Sequence, residues 1–93
     1  MNGKLLGLMK KLSKTGNFRI LIALSKEPQR WSDLEKVVDK KTLSHSINEL
    51  VELGLVEPTL LKDSPKGSKA YVLTDFGKFV LQKLGEIEKY SKQ

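Results

Sequence analysis

Two helical patterns meet at Asp39 with almost no chain between them. Before it, the SDLE sequence of residues 32–35 has the form of a capping box, in which Ser32 opens a short helix. After it, Asp39 can cap a helix over residues 40–53, which carry apolar side chains at helical spacing: Leu43, Ile47, Leu50 and Val51. Because so short a connection forces the two helices to cross steeply, the pattern predicts a helix-turn-helix whose second helix projects an outer face.

Helical patterns also occupy both ends of the chain. Residues 3–13 place four apolar side chains on one face, and residues 75–91 follow a cap at Thr74 with an apolar stripe from Phe76 to Tyr90. Residues 18–25 are almost continuously apolar. They predict a buried helix that is capped by Asn17 and ended by Pro28.

After Gly54 the hydrophobic period changes from helical to strand-like. Gly54 supplies the left-handed residue that stops the preceding helix, and residues 55–61 and 69–74 then form two strand-like runs around a polar turn. Pro58 confines the first strand to a sheet edge or a bulge. The order of elements predicts an α+β, mainly helical winged helix-turn-helix. We expect one domain over residues 1–93, comprising an N-terminal helix (3–13), a winged-helix core (17–74) and a C-terminal helix (75–91).

Composition excludes several classes of protein. At 93 residues the chain has no room for a cleft between two lobes. It contains no cysteine and one histidine, which excludes disulfides, zinc-thiolate sites and a cysteine nucleophile. No nucleophile elbow, catalytic triad or glycine-rich phosphate loop is present, so we expect neither an enzyme nor a cofactor or metal. With no signal peptide and no membrane span in the sequence, the expected location is the cytoplasm, in association with the nucleoid.

The charge balance and its placement favour nucleic acid. Seventeen Lys and Arg against eleven Asp and Glu give a net charge of +6. The outer face of the 40–53 helix carries side chains suited to base edges and phosphates: Lys40, Lys41, Thr42, Ser44, His45 and Asn48. Glu49 and Glu52 lie farther along this face and would repel phosphate. We therefore expect this helix to enter the major groove of double-stranded DNA through its first two turns.

The turn of the predicted hairpin is basic as well. Lys62, Lys66 and Lys69 stand against a single acidic residue, Asp63, and Gly67 would let the backbone approach a phosphate closely. This pattern predicts a mobile wing over residues 62–69 that contacts the DNA backbone or minor groove.

Two stretches resemble winged-helix regulators of the HxlR type and, more loosely, the MarR and ArsR groups. They are RWSDLEKVVDKKTLSHSINELVELGLVEP (residues 30–58) and AYVLTDFGKFVLQKL (residues 70–84). The resemblance implies a homodimer on a pseudo-palindromic operator, with residues 40–53 as the reading helix and residues 62–69 as the wing. Carried over by position, the contacts to DNA fall on Lys41, Thr42, Ser44, His45 and Asn48. HxlR-type proteins usually carry a cysteine near the N-terminus, which this chain lacks, so redox sensing is not expected.

The terminal helices carry more apolar surface than one small core can use. A homodimer interface is the expected use of this surplus, formed by Leu5, Leu8, Met9, Leu12, Phe79, Leu84, Ile87 and Tyr90. Trp31 is expected to pack in the core beside the hairpin rather than stack on a ligand. His45 has two readings, a contact to DNA or a solvated surface side chain.

Two other functions remain open at this stage. Acidic Glu49, Glu52 and Glu57 near the reading helix suggest a winged helix used for protein–protein interaction, and the net charge also fits a non-specific, chromatin-like DNA-binding protein. A repressor is the expected role, although nothing in the sequence separates repression from activation.

Overall fold

Five helices and three short strands make up the computed structural model, which describes residues 3–91. In chain order these are α1 (Gly3–Leu12), α2 (Thr15–Lys26), β1 (Gln29–Arg30), α3 (Trp31–Leu34), α4 (Lys40–Glu52), β2 (Val56–Leu61), β3 (Ser68–Leu73) and α5 (Asp75–Ser91). The predicted α+β, mainly helical winged helix-turn-helix is confirmed. The terminal helices match their predicted ranges to within one residue at each end.

Three of the predicted helix ends are made as expected. Asp39 caps α4, because one carboxylate oxygen accepts the backbone N–H of Thr42 at 2.8 Å and the other accepts its hydroxyl at 2.9 Å. Gly54 ends the segment with a φ of 75°, in the left-handed region. At the start of α5, the Thr74 hydroxyl accepts the backbone N–H of Gly77 at 3.0 Å and donates to the carbonyl of Gly54 at 2.5 Å.

Two predicted caps are wrong. Helix α3 begins directly after β1, so its capping residue is Arg30, whose backbone N–H donates to the Asp33 carboxylate at 3.0 Å, and Ser32 lies exposed inside the helix. Helix α2 begins at Thr15, which puts Asn17 within its first turn and fully buried. The Asn17 side chain instead donates to the carbonyl of Lys11 at 2.9 Å and so ties α2 to the end of α1.

The sheet is antiparallel in the order β1-β3-β2, which makes β2 an edge strand. Pro58 lies in β2 opposite Tyr71, and its edge position agrees with the prediction. The third strand, β1, was not predicted. It has only two residues, Gln29 and Arg30, which pair with Tyr71 and Ala70 of β3.

The core lies between α2, α3, α4 and the sheet. Its buried side chains are Leu12, Ile20, Leu21, Leu24, Leu34, Leu43, Ile47, Leu50, Leu55, Val56 and Leu73. Trp31 packs against this core with its ring centroid 6.2 Å from that of Tyr71, as expected from its place beside the hairpin. Val51 shares the apolar helical spacing of Leu43, Ile47 and Leu50 but is 38% exposed, because it lies past the edge of the buried stripe of α4.

Candidate nucleic-acid interface

The outer face of α4 is polar and open to solvent. Lys40, Lys41, Ser44, His45 and Asn48 are all exposed, and we call these five side chains the reading face. The opposite face is held inside by Leu43, Ile47 and Leu50, each no more than 4% exposed. Burial of this apolar stripe fixes the helix with its polar side outward.

Thr42 differs from the other predicted contact residues because it is half-buried. Its hydroxyl is used by the Asp39 cap, and its methyl group lies against the start of α2. A Cβ at Gly16 would lie 2.7 Å from Thr42 Cγ2. Gly16 therefore allows α2 to approach α4 closely at this point, and Thr42 serves that contact.

Glu49 does not lie on the exposed face, which corrects the sequence analysis. Only 8% of the residue is exposed, and its carboxylate meets side chains from the corner between α1 and α2. Lys14 Nζ donates to its two oxygens at 3.0 and 3.2 Å, Lys11 forms an ion pair with it, and Asn17 Nδ2 donates at 3.4 Å. Glu52, one turn later, is exposed as expected.

These contacts set the ionisation of the cluster. The hydrogen bond from Lys11, followed by those from Lys14 and Asn17, lowers the pKa of Glu49 to about 2, against the opposing effect of burial. The same hydrogen bond raises the pKa of Lys11. Glu49 is therefore ionised at neutral pH, but two lysines neutralise it. The expected repulsion between this carboxylate and a DNA phosphate is largely cancelled.

The wing carries its lysines on the surface. Strands β2 and β3 remain paired as far as Leu61 and Ser68, and the turn between them exposes Lys62 and Lys66, with Lys69 exposed just beyond it. Asp63, the one acidic residue of the turn, is paired with the Arg30 guanidinium and accepts the Ser68 hydroxyl at 2.7 Å. Its charge is thus offset within the protein, and the three lysines face solvent.

Arg30 is a residue that sequence reasoning missed. It joins β1 to the turn of the wing through Asp63, which lies 33 positions later in the chain. No local pattern marks such a pair. Gly67 also has a structural role that the sequence did not reveal, since its φ is 75° and a Cβ would lie 2.9 Å from Leu60 Cγ. The turn needs glycine there for its own conformation.

The residues predicted for a dimer interface fall into three groups. Leu5, Met9, Phe79, Ile87 and Tyr90 are between 36% and 72% exposed, whereas Leu8 and Leu84 are half-buried. Leu12 is 6% exposed and belongs to the core of the chain itself, because α1 packs its last turn on α2. Leu12 is therefore not available to a partner, which corrects that assignment.

An apolar groove runs between the terminal helices and α2. It has a volume of about 570 Å³, and its apolar lining includes Met9, Phe18, Leu84 and Ile87. Phe18 and Ile22 of α2 are 36% and 42% exposed and extend the same apolar surface.

Among residues 3–91 no three His, Asp or Glu side chains are grouped as metal ligands would be. None of the helices described is long and apolar enough to cross a membrane.

Comparison with known proteins gives both a family and a set of folds. The profile of the HxlR-like helix-turn-helix family matches residues 11–93. The reduced form of the transcriptional regulator YodB from B. subtilis is similar at a TM-score of 0.84 and 23% identity, over 100% of this chain and 93% of that one. The transcriptional repressor BigR from Xylella fastidiosa gives 0.75 and 21%, over 98% and 89%. No curated protein sequence matched. At these identities the structural likeness shows the fold.

Proposed function

Since the chain belongs to the HxlR-like helix-turn-helix family, we propose that it is a sequence-specific regulator of transcription that binds double-stranded DNA as a homodimer. The family and the regulators of like fold support a DNA-binding transcription regulator rather than an enzyme. One observation carries the finer proposal. The polar reading face of α4 is exposed while the opposite face of the helix is buried in the core, and the lysines of the wing are exposed as well.

In this proposal α4 lies in the major groove. Lys41, Ser44, His45 and Asn48 provide donors and acceptors at the depth that base edges require, while Lys40 and the N-terminal end of α4 lie closer to phosphate. Thr42 positions the start of the helix, because its backbone N–H and its hydroxyl both donate to the Asp39 carboxylate and its methyl group lies against Gly16.

The wing supplies affinity that is independent of sequence. Lys62, Lys66 and Lys69 are placed to contact the DNA backbone or the adjacent minor groove, and Gly67 shapes the turn that presents them. Arg30 holds the turn of the wing by its ion pair with Asp63. Loss of any one of these lysines should weaken binding to all sequences by a similar factor.

The proposed dimer uses the exposed apolar surface of the terminal helices. Met9, Phe79, Ile87 and Tyr90 are each at least 47% exposed, and clustered apolar side chains on a surface often mark an interaction site. Residues 1–93 then act as one domain, with α1 and α5 flanking a winged-helix core. A two-fold dimer places two reading helices on half-sites about one turn, roughly 34 Å, apart.

The burial of Glu49 weakens the rival view of a protein-interaction module. That view rested on three acidic residues near the reading helix, and one of them is neutralised by Lys11 and Lys14.

Repression is the proposed role because BigR is a transcriptional repressor. A protein of this activity would work on the nucleoid in the cytoplasm.

Fluorescence anisotropy tests the proposal with point variants and a labelled duplex that contains the preferred site. We expect Lys41→Ala and Asn48→Ala each to lose about 1–3 kcal/mol on that site and to relax the preference over unrelated DNA. Lys26→Ala is the matched control, because Lys26 is exposed at the end of α2, where it shares a depression with Gly54 beyond the last turn of α4, and this variant should bind like the unaltered protein. Unchanged affinity in the α4 variants, with loss of a protein partner, would favour the interaction module instead.

A further inference from the structure

Five side chains meet where α1 turns into α2 against the middle of α4. They are Lys11, Lys14, Asn17, His45 and Glu49, and we call them the corner cluster. Glu49 is at its centre, with Lys14 Nζ 3.0 Å and His45 Nε2 3.5 Å from the same oxygen, Oε1. Lys11 and Asn17 complete the contacts to this carboxylate. In the proposed function, Lys11 and Lys14 do no more than neutralise Glu49.

The cluster exposes its cations and buries its carboxylate. Two ammonium groups face the carboxylate of Glu49, and the exposed carboxylate of Glu52 attracts Lys11 more weakly. The side chains of Lys11 and Lys14 are 43% and 46% exposed, whereas that of Glu49 is 9% exposed. Each ammonium has three N–H donors, and the buried carboxylate cannot satisfy all of them. The exposure of both side chains leaves the remaining donors accessible to solvent.

The cluster also borders the reading face. His45 belongs to both, since its side chain is 72% exposed on the outer side of α4 while its ring approaches Glu49. A duplex that lay along the reading face would therefore pass close to the corner between α1 and α2, with the phosphates of its nearer strand beside Lys11 and Lys14.

From this geometry we infer that Lys11 and Lys14 form a phosphate-contacting site of the DNA interface, held in place by the buried Glu49. The inference rests on the proposed function and adds the α1–α2 corner to its DNA surface. Glu49 fixes two long side chains that would otherwise lose conformational freedom on binding. The Glu49 carboxylate is itself buried, so it positions the two lysines while adding little repulsion of a phosphate.

The difficulty in testing this site is that removal of the lysines also leaves Glu49 buried and unpaired. Glu49→Gln solves it by removing the charge that needs neutralising. The experiment compares Glu49→Gln with the triple variant Glu49→Gln, Lys11→Met, Lys14→Met. A control triple variant combines Glu49→Gln with Lys26→Met and Lys78→Met. Lys26 and Lys78 are two other exposed lysines, which share a depression at the opposite end of α2. Thermal unfolding followed by circular dichroism confirms that all three are folded.

The measurement is the dependence of DNA affinity on salt for one labelled duplex. Each phosphate contact contributes about 0.9 to the slope of log affinity against log salt. With one or two contacts per protomer, a dimer without Lys11 and Lys14 should lose roughly 2–4 from that slope. The control triple variant should lose less than half as much. An equal slope in Glu49→Gln and in the Lys11 and Lys14 variant would overturn the inference and leave the lysines as partners of Glu49 alone.

A second measurement uses the unaltered protein and does not depend on how the variants fold. Acetylation of lysines with acetic anhydride, read by mass spectrometry, should fall at Lys11 and Lys14 when the duplex is added and stay constant at Lys26 and Lys78. Labelling that ignores the duplex at all four positions would contradict the site. Failure of the unaltered protein to bind any duplex would instead overturn the proposed function, and the site with it.

Discussion

Glu49 shows how far a single residue can depart from what its neighbours in sequence suggest. Its position on α4 predicts a solvated carboxylate that repels phosphate, and in the structure it is buried and paired with two lysines. One of them, Lys14, lies 35 positions earlier in the chain. Only the packing of the α1–α2 corner on α4 brings them together, so no periodicity within α4 could reveal the pair.

The lowered pKa of Glu49 predicts a specific loss of stability in acid. The pKa falls from 4.5 to about 2 on folding, so the stabilisation is complete above pH 4.5 and is lost as the pH falls toward 2. We expect it to amount to about 1–3 kcal/mol, since solvent screens the half-exposed lysines. Urea unfolding of the unaltered protein and of Glu49→Gln measures it. Their difference in unfolding free energy should shrink between pH 5 and pH 2, and a constant difference would contradict the ion cluster.

The helix caps show which structural features can be predicted from local sequence and which cannot. Asp39, Gly54 and Thr74 were predicted correctly because each cap is made within a few residues of the helix end. Ser32 was predicted wrongly because β1 leads straight into α3 and moves the helix start to Arg30. A two-residue strand leaves no period in a sequence, so its consequence for the next helix could not be predicted.

These caps give a matched pair of variants. Asp39→Ala removes both hydrogen bonds to Thr42 and should lower the free energy of unfolding by about 1 kcal/mol. In a domain of this size that corresponds to a decrease of roughly 4–8 °C in Tm. Ser32→Ala, the cap that the structure does not contain, should change the free energy by less than about 0.5 kcal/mol. Equal effects of the two substitutions in thermal unfolding would contradict the assignment of the caps.

At the scale of elements, the contact between α5 and the start of the sheet depends on one glycine. A Cβ at Gly77 would lie 2.2 Å from the carbonyl oxygen of Leu55, a backbone atom that also accepts the N–H of Thr74 at 3.0 Å. The sequence predicted α5, its cap and the hairpin, since these follow from local pattern. It did not predict this close approach, because nothing in the local sequence marks a helical glycine as a point of close packing.

Two glycines of α5 therefore predict opposite effects on stability. Gly77→Ala should lower the free energy of unfolding by at least about 2–3 kcal/mol, because backbone must move to admit the methyl group. Gly85→Ala, on the same helix, meets nothing within 4 Å and should raise the free energy by about 0.5–1 kcal/mol through helix propensity. Chemical denaturation of both variants checks the pair. A tolerated Gly77→Ala would mean that α5 does not pack on Leu55 as described.

At the scale of the whole molecule, the main open feature is the apolar surface of the terminal helices. Sequence periodicity identified both stripes but could not divide them between the core and a partner. The structure makes part of that division by placing Leu12 inside and leaving Met9, Ile87 and Tyr90 outside. Which side of an amphipathic helix faces its own core depends on the packing of the whole chain.

The proposed homodimer predicts the effect of a charge on this surface. Ile87→Lys places an ammonium in the centre of the exposed apolar stripe of α5, where Ile87 is 63% exposed, and should convert the dimer to monomer. Val51→Lys is the control, because Val51 is 38% exposed on α4 and lies outside the proposed interface. Analytical ultracentrifugation measures both. A monomeric unaltered protein, or an Ile87→Lys variant that remains dimeric, would contradict the interface.

In the proposed function, the exposed polar face of α4 recognises a DNA sequence. Selection of bound duplexes from a random pool tests this recognition, with the unaltered protein and Asn48→Ala carried through in parallel. We predict enrichment of a two-fold symmetric motif with half-sites about one helical turn apart, and a motif altered within each half-site for the variant. A pool that shows no enrichment, or the same motif for both proteins, would contradict the claim.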